Sequence, residues 1–128
     1  GLKNVRIIQY DAIEIFKQHL REECIDILQV FFPDPWPKKR HFKRRLINDD
    51  FISMVAPSLK HGGLVRLATD WEEYAMQMLD VMTRASGFSN TASNGSFIDR
   101  PAWRPLTKFE LRGERLGHGV WDLVFKRD

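Results

Sequence analysis

An almost uninterrupted apolar run, Ile25 to Phe32, is the feature of the sequence that most restricts the fold. Runs of this kind are typical of strands that are buried on both faces of a parallel sheet. Pro33, Pro35 and Pro37 end the run abruptly, because proline fixes φ and has no backbone N–H to donate. A second apolar run, Leu64 to Ala68, predicts another buried strand after the turn at His61-Gly62-Gly63.

Segments with helical spacing alternate with these strands. Apolar residues three and four positions apart predict helices over 12–20, around 51–55 and over 71–82, the second of them ending or bending near Pro57. Short strands are expected at 5–9, from Phe88, and over 120–125, after a turn at 117–119. Together the elements, with their buried strands of parallel type, predict one α/β domain, residues 1–128, built as a three-layer sandwich.

The composition agrees with one globular domain. The chain has 128 residues, of which 43% are hydrophobic and 29% charged. No apolar run reaches the roughly 20 residues of a membrane-spanning helix. The single cysteine, Cys24, excludes an internal disulfide and favours a reducing compartment, and no histidine or cysteine pair has metal-ligand spacing.

Three acidic residues follow predicted strands, at the end of the sheet where open parallel sheets bind ligands. They are Asp11, Asp34 and Asp70. Asp11 and Asp70 also fit helix N-caps, with Glu14 and Glu73 completing capping boxes. Asp34 is different, because it stands between two prolines and before Trp36. A stiffly held carboxylate beside an aromatic ring suits a flat, hydrogen-bonding or cationic group.

A dense basic segment follows Asp34 directly, with six cations within eight residues. Charge runs are usually solvated faces. This one adjoins the predicted ligand-binding strand end, and its aromatic residues can stack on unpaired bases, so we favour nucleic-acid backbone binding. The segment consists of Lys38, Lys39, Arg40, His41, Phe42, Lys43, Arg44 and Arg45.

The segment from Phe32 to Arg45 closely resembles the bacterial tRNA (guanine-N7)-methyltransferase family. The further matches keep the order and spacing of that family and extend the resemblance over essentially the whole chain. They are Tyr10-Asp11-Ala12, Ala68-Thr69-Asp70-Trp71, Thr107-Lys108-Phe109-Glu110 and the tail from Arg115 to Leu123.

The resemblance implies a class I, Rossmann-like methyltransferase fold, S-adenosylmethionine as cofactor, and methylation of guanine N7 at position 46 in the tRNA variable loop. It implies cofactor contacts for Asp11 and Asp34, with Asp34 also catalytic. It implies tRNA contacts for residues 39–45, a cytoplasmic location, and no obligatory protein partner. The implied substrate-binding residues are Lys38, Asp70, Thr107, Lys108, Phe109 and Glu110, although Thr107 and Glu110 alone would fit a capping box.

The sequence departs from the family in one respect. Family members carry an upstream part with the first strands, a glycine-rich cofactor loop and an acidic residue for the ribose, and this chain has no such loop. It therefore resembles the C-terminal portion of the family. In the sheet order of the family, the missing strands lie between the strand at 5–9 and the strand that starts at Ile25. A sheet does not keep such a gap open, because both flanking strands would have unpaired edges. We therefore expect residues 1–24 to be displaced, re-paired or completed by other protein. We expect the chain alone to bind cofactor poorly and to be inactive.

Two alternatives remain open from the residues. Asp34-Pro35-Trp36-Pro37 loosely resembles the Asp-Pro-Pro-Tyr motif of methyltransferases that act on amino groups, but that motif leaves the basic segment unexplained. The chain could also be a non-catalytic RNA-binding remnant that kept the basic face and lost the cofactor half.

Overall fold

The computed structural model describes residues 4–5, 11–18, 20–104 and 119–128. Short 3₁₀ turns precede and follow the second helix. The α-helices are α1 (Ala12–Gln18), α2 (Asp49–Val55) and α3 (Glu72–Arg84), the 3₁₀ helices are Lys39–Arg44 and Ala56–Ser58, and the strands are β1 (Ile25–Phe31), β2 (Leu59–Thr69), β3 (Phe88–Asn90) and β4 (Trp121–Arg127).

The four strands form one mixed sheet in the order β1-β2-β4-β3. β1 and β2 are parallel, whereas β4 is antiparallel to both of its neighbours. β3 therefore points the same way as β1 and β2. The parallel pair is connected through α2, as a βαβ crossover requires, and the predicted strands at residues 25, 64, 88 and 120 are confirmed.

One face of the sheet carries the apolar core. Val65 and Leu67 of β2 lie opposite Phe125 and Leu123 of β4, and all four are buried. α2 and α3 cover this face because each has an apolar stripe at helical spacing. The helix residues in the core are Phe51, Ile52, Val55, Tyr74, Met78, Val81 and Met82.

The opposite face is covered differently. Ile98 pairs with Asp122 of β4, and the chain then crosses this face as far as Arg104. The ring of Trp103 stacks on Phe31, with 6.3 Å between ring centroids. In the described part of the chain, helices pack only against the first face. None of these described helices is long and apolar enough to cross a membrane.

The first helix begins as predicted, and the third does not. The Asp11 carboxylate accepts a hydrogen bond from the Ile13 N–H at 2.8 Å, which caps α1. The predicted Asp70–Glu73 capping box is wrong. Trp71 is the N-cap of α3 and makes no side-chain capping bond, while the Thr69 hydroxyl accepts from the Trp71 N–H at 3.2 Å. The helix begins one residue later than predicted, which takes Asp70 out of the cap position.

Two expectations about the strands need correction. β1 was expected to be buried on both faces, but it is an edge strand of the described sheet and Ile27 is 41% exposed. The His61-Gly62-Gly63 turn is instead an irregular stretch inside β2, where the pairing with β1 shifts. Gly63 is required there, because a Cβ atom would lie 2.8 Å from the Lys60 carbonyl oxygen.

The start of the chain bears on the expected displacement of residues 1–24. α1 packs on α2 through an edge-to-face contact of Phe16 with Phe51, with 6.0 Å between centroids. The Glu23 and Cys24 N–H groups donate to the carbonyl oxygens of Pro57 and Ser58. Apart from Val5, the predicted strand at 5–9 lies outside the described residues, so its expected displacement stays a prediction.

Candidate active site and RNA-binding surface

The parallel pairing of β1 and β2 brings two of the predicted acidic residues to one edge of the sheet. Asp34 lies just beyond the carboxyl end of β1 and is exposed, and Asp70 follows β2 and is half-buried. Asp11 is exposed at the start of α1. Within the described ranges, no ion pair forms with Asp34, so its carboxylate is available to a ligand.

The segment that carries Asp34 has an unusual backbone. Phe32 and Trp36, on either side of Pro33-Asp34-Pro35, have φ angles of 54° and 43°. A bulky residue with positive φ costs on the order of 1–3 kcal/mol, and such residues cluster at functional sites. The Phe32 N–H donates to the Ala68 carbonyl at 2.8 Å, which fixes the segment to the end of β2.

The 3₁₀ helix Lys39–Arg44 folds back over the same segment. The Arg44 guanidinium lies over the Trp36 ring, 5.1 Å from its centroid, and the His41 ring meets the Trp36 ring edge-on at 5.7 Å. Trp36 therefore connects the Asp34 segment to the basic segment. Five cations of the basic segment are exposed to solvent: Lys38, Lys39, Arg40, Lys43 and Arg44.

Arg45 does not share that surface, since it is only 2% exposed. Its Nε donates to the Pro35 carbonyl and its Nη1 to Gln77 Oε1, both at 2.7 Å. Its guanidinium lies 4.0 Å from the centroid of Phe42 and 5.1 Å from that of Tyr74. Burial lowers the pKa of Arg45, partly offset by its Coulombic interactions with Tyr74 and Glu73. Arg45 thus fixes the backbone one residue after Asp34.

A buried ion pair lies near the same strand end and was missed by the sequence reasoning. Arg104 Nε and Nη2 donate to the two carboxylate oxygens of Asp122 at 2.7 and 2.8 Å, and both residues are 2% exposed. The Arg104 guanidinium also lies 5.7 Å from the Phe32 ring centroid. One signal was present, because Asp122 interrupts an otherwise apolar strand.

The remaining predicted substrate residues, Thr107, Lys108, Phe109 and Glu110, lie outside the described residues, as do the capping box at 107–110 and most of the turn at 117–119. Arg104 is the last described residue before them, so the buried ion pair anchors the chain where that segment begins. No cluster of side chains suited to a metal ion occurs within the described part of the molecule.

A mixed α/β sheet with an acidic residue presented beyond the end of a parallel strand fits the Rossmann-like methyltransferase fold that the sequence resemblance implies. The chain matches the family model described as "Putative methyltransferase" over residues 1–123, and it belongs to that family. The predicted fold class is therefore confirmed, in truncated form.

The chain is also similar to curated proteins that share a more specific name. Three of them carry the name tRNA (guanine-N(7)-)-methyltransferase. The protein from Aliivibrio fischeri (strain MJ11) is 50% identical, over 100% of this chain and 54% of its own length, and the protein from Pseudomonas aeruginosa (strain PAO1) is 54% identical, over 99% of this chain and 52% of its own length. The protein from Neisseria gonorrhoeae (strain NCCP11945) is 55% identical, over 98% of this chain and 52% of its own length. The chain therefore spans about half the length of the curated relatives it matches.

Proposed function

We propose that the chain is the C-terminal part of an enzyme that transfers a methyl group from S-adenosylmethionine to N7 of guanine 46 in tRNA. One structural observation carries the proposal. The exposed Asp34 carboxylate is held in a stiff segment at the end of β1, and the five exposed cations begin four residues later. The shared name of the relatives favours this function over an amino-group methyltransferase and over a non-catalytic remnant.

The acidic residues fit the proposed cofactor. S-adenosylmethionine, when bound, supplies an activated methyl group on a cationic sulfur. Asp34 is exposed and forms no ion pair with any described residue, so it can accept hydrogen bonds or face a positive charge. The Asp11 carboxylate uses one oxygen to cap α1, and its other oxygen, which contacts no residue that the structure describes, would accept from the adenosine part. These two residues would hold the cofactor.

The reaction needs little proton chemistry from the protein. Guanine N7 has an in-plane lone pair and no proton, so it attacks the methyl carbon directly. Bound S-adenosylmethionine would supply the methyl group and would leave as a neutral thioether that retains the electron pair, while Asp11 and Asp34 would hold the cofactor in place. Positive charge then moves to the purine, where the fixed Asp34 carboxylate stabilises it. A second carboxylate, that of Glu110, would accept from the guanine N1–H and N2–H₂ edge, which distinguishes guanine from adenine.

The other site residues have supporting roles in this proposal. Lys38 and Asp70 flank Asp34 from the basic segment and from the end of β2, where they can contact the substrate nucleotide. The segment Thr107 to Glu110 completes the substrate site, and Arg104 positions the start of that segment. The enzyme would act in the cytoplasm and would need no obligatory protein partner.

The exposed part of the basic segment would bind the tRNA backbone. Lys39, Arg40, Lys43 and Arg44 reach solvent, as phosphate contacts require. His41 and Phe42 are half-buried, and His41 contacts Trp36. We therefore assign phosphate binding to the four cations, while His41, Phe42 and Arg45 hold the shape of this surface and its junction with the Asp34 segment.

The experiment is to identify the methylated nucleoside. The chain alone, and the chain fused behind the N-terminal half of the Aliivibrio fischeri relative, are incubated with labelled S-adenosylmethionine and unmodified tRNA. We expect N7-methylguanosine from the fusion and none from the chain alone. A guanine-46→adenine tRNA should remain unlabelled. A fusion that binds tRNA and cofactor but gives no product, or labels another base, would contradict the proposal.

A further inference from the structure

All four tryptophans of the chain lie at the carboxyl end of the two parallel strands. Trp36 follows β1, and Trp71 follows β2. Trp103 stacks on Phe31, the last residue of β1, and Trp121 is the first residue of β4, opposite the last residue of β2. Open parallel sheets bind ligands at this end. The chain therefore concentrates its largest aromatic rings where the candidate site lies.

One of these rings is open to solvent. The Trp36 ring carries the Arg44 guanidinium, 5.1 Å from its centroid. The Trp103 ring contacts a side chain of each parallel strand, and Trp121 is half-buried. Trp71, in contrast, is 40% exposed, and its ring makes no aromatic or cation contact with any residue that the structure describes. Its ring is therefore available to a ligand.

The backbone of Trp71 is fixed although its ring is exposed. Its N–H donates to the hydroxyl of the buried Thr69 at 3.2 Å, and its carbonyl oxygen accepts from the Ala75 N–H at 2.9 Å in the first turn of α3. A ring on an anchored backbone has little freedom to lose when a flat ligand packs on it. Tryptophan also has only two side-chain torsions, so its large contact area carries a low entropy cost.

The start of α3 faces the basic segment across an open cleft. Pro37 and Lys39 line the cleft from one side, and Glu72 and Glu73, which follow Trp71 directly, line it from α3. RNA phosphates are attracted to the exposed cations and repelled by the two carboxylates. The part of a bound RNA that reaches the start of α3 is therefore an uncharged base, and Trp71 offers it an exposed ring.

We propose that Trp71 is a stacking platform for one unpaired base of the RNA whose backbone lies on the exposed cations. Since every base has a π face, the platform accepts any of the four. Asp70, to which the proposed function gives a substrate contact, precedes Trp71 directly, so the stacked nucleotide lies beside the methylated one. That placement rests on the proposed function, whereas the stacking rests on the ring and its surroundings.

The first measurement follows each tryptophan separately. The chain is labelled with 5-fluorotryptophan, and its four ¹⁹F signals are assigned by replacing one tryptophan at a time with Phe. Two probes are titrated: a short single-stranded RNA of mixed sequence, and an abasic strand of the same length, which has the phosphates but no bases. We expect the RNA to shift the Trp71 signal saturably and the abasic strand to leave it in place. The Trp103 signal should stay in place with both probes.

A matched pair of substitutions tests the ring itself. Trp71→Leu removes the π face and keeps an apolar side chain, and Trp103→Leu makes the same change at a tryptophan that is 43% exposed. Trp71→Leu should bind the RNA about tenfold more weakly, the effect of one lost base–aromatic stack, and should bind the abasic strand as the unmodified chain does. Trp103→Leu should keep both affinities. Trp71→Tyr, which restores a ring, should recover most of the RNA affinity.

The outcomes separate this inference from the proposed function. A Trp71 signal that stays in place while the RNA binds, or equal losses of affinity for RNA and abasic strand in Trp71→Leu, overturns the stacking platform. N7-methylguanosine formation by the fusion together with either result leaves the proposed function standing. A base-dependent Trp71 response without methyl transfer by the fusion supports the platform and contradicts the proposed function.

The same titration on the fusion protein tests a different occupant of the ring. A Trp71 signal that responds to RNA in the chain but not in the fusion would assign the ring to a contact with the N-terminal half and would overturn the platform. RNA that binds neither the chain nor the fusion contradicts both proposals.

Discussion

The two faces of the sheet use the same strands for different purposes. On the face covered by α2 and α3, Val65, Leu67, Leu123 and Phe125 alternate with residues that point the other way, and all four are buried in an apolar core. Burial of apolar area of this kind is the main source of folding free energy.

The other face is built from polar and aromatic contacts. Arg66 lies 3.8 Å from the Trp103 ring centroid and donates to Gln29, while the Arg104–Asp122 pair is buried at the end near Phe32. Trp103 is 43% exposed and Ile27 41%. The comparison shows that apolar packing against the helices stabilises the sheet. Polar and aromatic contacts on the second face and at the strand ends hold the residues that are proposed to act on a ligand.

The buried ion pair gives the largest expected effect on stability. Asp122→Ala should lower the free energy of unfolding by about 3–5 kcal/mol, because the buried Arg104 guanidinium loses the two charge-assisted hydrogen bonds that it donates to the Asp122 carboxylate. Asp26→Ala is the control, since Asp26 forms an exposed pair with Lys60 at 3.0 Å and should cost less than about 1 kcal/mol. Urea unfolding measures both, and equal costs would contradict the assigned importance of the Arg104–Asp122 pair.

A pair of aliphatic truncations tests the two faces directly. Leu67→Ala removes a side chain that is buried under α3 and should cost about 2–5 kcal/mol. Ile27→Ala removes a side chain from the exposed position on β1 and should cost about 1 kcal/mol or less. If the Ile27 variant lost as much stability as the Leu67 variant in urea unfolding, the second face would be part of the core.

The basic surface should affect RNA affinity more than stability. Replacing Lys39, Arg40 and Lys43 by Ala removes three exposed cations, and tRNA affinity should fall about 10- to 100-fold near physiological salt. The slope of log affinity against log salt should become shallower by about 2–3 for three lost phosphate contacts. Filter binding over a range of salt measures this, with Lys60→Ala as a control cation far from the strand end, and an unchanged slope would refute the assigned surface.

The smallest effect concerns Tyr74. Its hydroxyl accepts from the buried Ile47 N–H at 2.9 Å, so Tyr74→Phe should cost about 1–2 kcal/mol. Burial raises the pKa of Tyr74, against hydrogen bonds from Ile47 and Leu46 and the Arg45 charge that lower it. The unfolded chain therefore loses this proton first, near pH 10.

The stability due to the neutral Tyr74 is thus present below about pH 10 and is lost as pH rises above that value. Unfolding experiments between pH 8 and 11 should show a steeper alkaline loss of stability for the unmodified chain than for Tyr74→Phe. Parallel curves would show that Tyr74 titrates alike in both states.

Local sequence patterns predicted the positions of the strands and helices well, but they predicted less well which of their side chains are buried. The run at Ile25–Phe31 and the helical spacing of Tyr74, Met78 and Met82 identify β1 and α3, because periodicity depends on a few adjacent residues. The exposure of Ile27 was not predictable, because burial of an edge strand depends on what pairs with it.

The candidate site likewise contains one residue that the sequence identified and contacts that it could not identify. The prolines and the strand end pointed to Asp34, and the structure leaves that residue exposed in a strained segment. Arg45 could not be separated from its basic neighbours, since its partner Gln77 lies 32 residues away. Arg104 and Asp122 are 18 residues apart and meet only through the sheet. Contacts distant in sequence assign these roles, and the composition of a segment does not reveal them.

The most direct test of the account is Asp34→Asn in the fusion protein, with thermal unfolding and methyl transfer to tRNA measured on the same preparation. Asp34 is exposed and makes no ion pair with the described residues, so the unfolding temperature should stay within about 2 °C of that of the parent, as for an ordinary surface substitution. Methyl transfer should fall by about 100-fold or more, because the fixed carboxylate at the reacting purine is lost. Unchanged turnover in a stably folded variant would contradict the account.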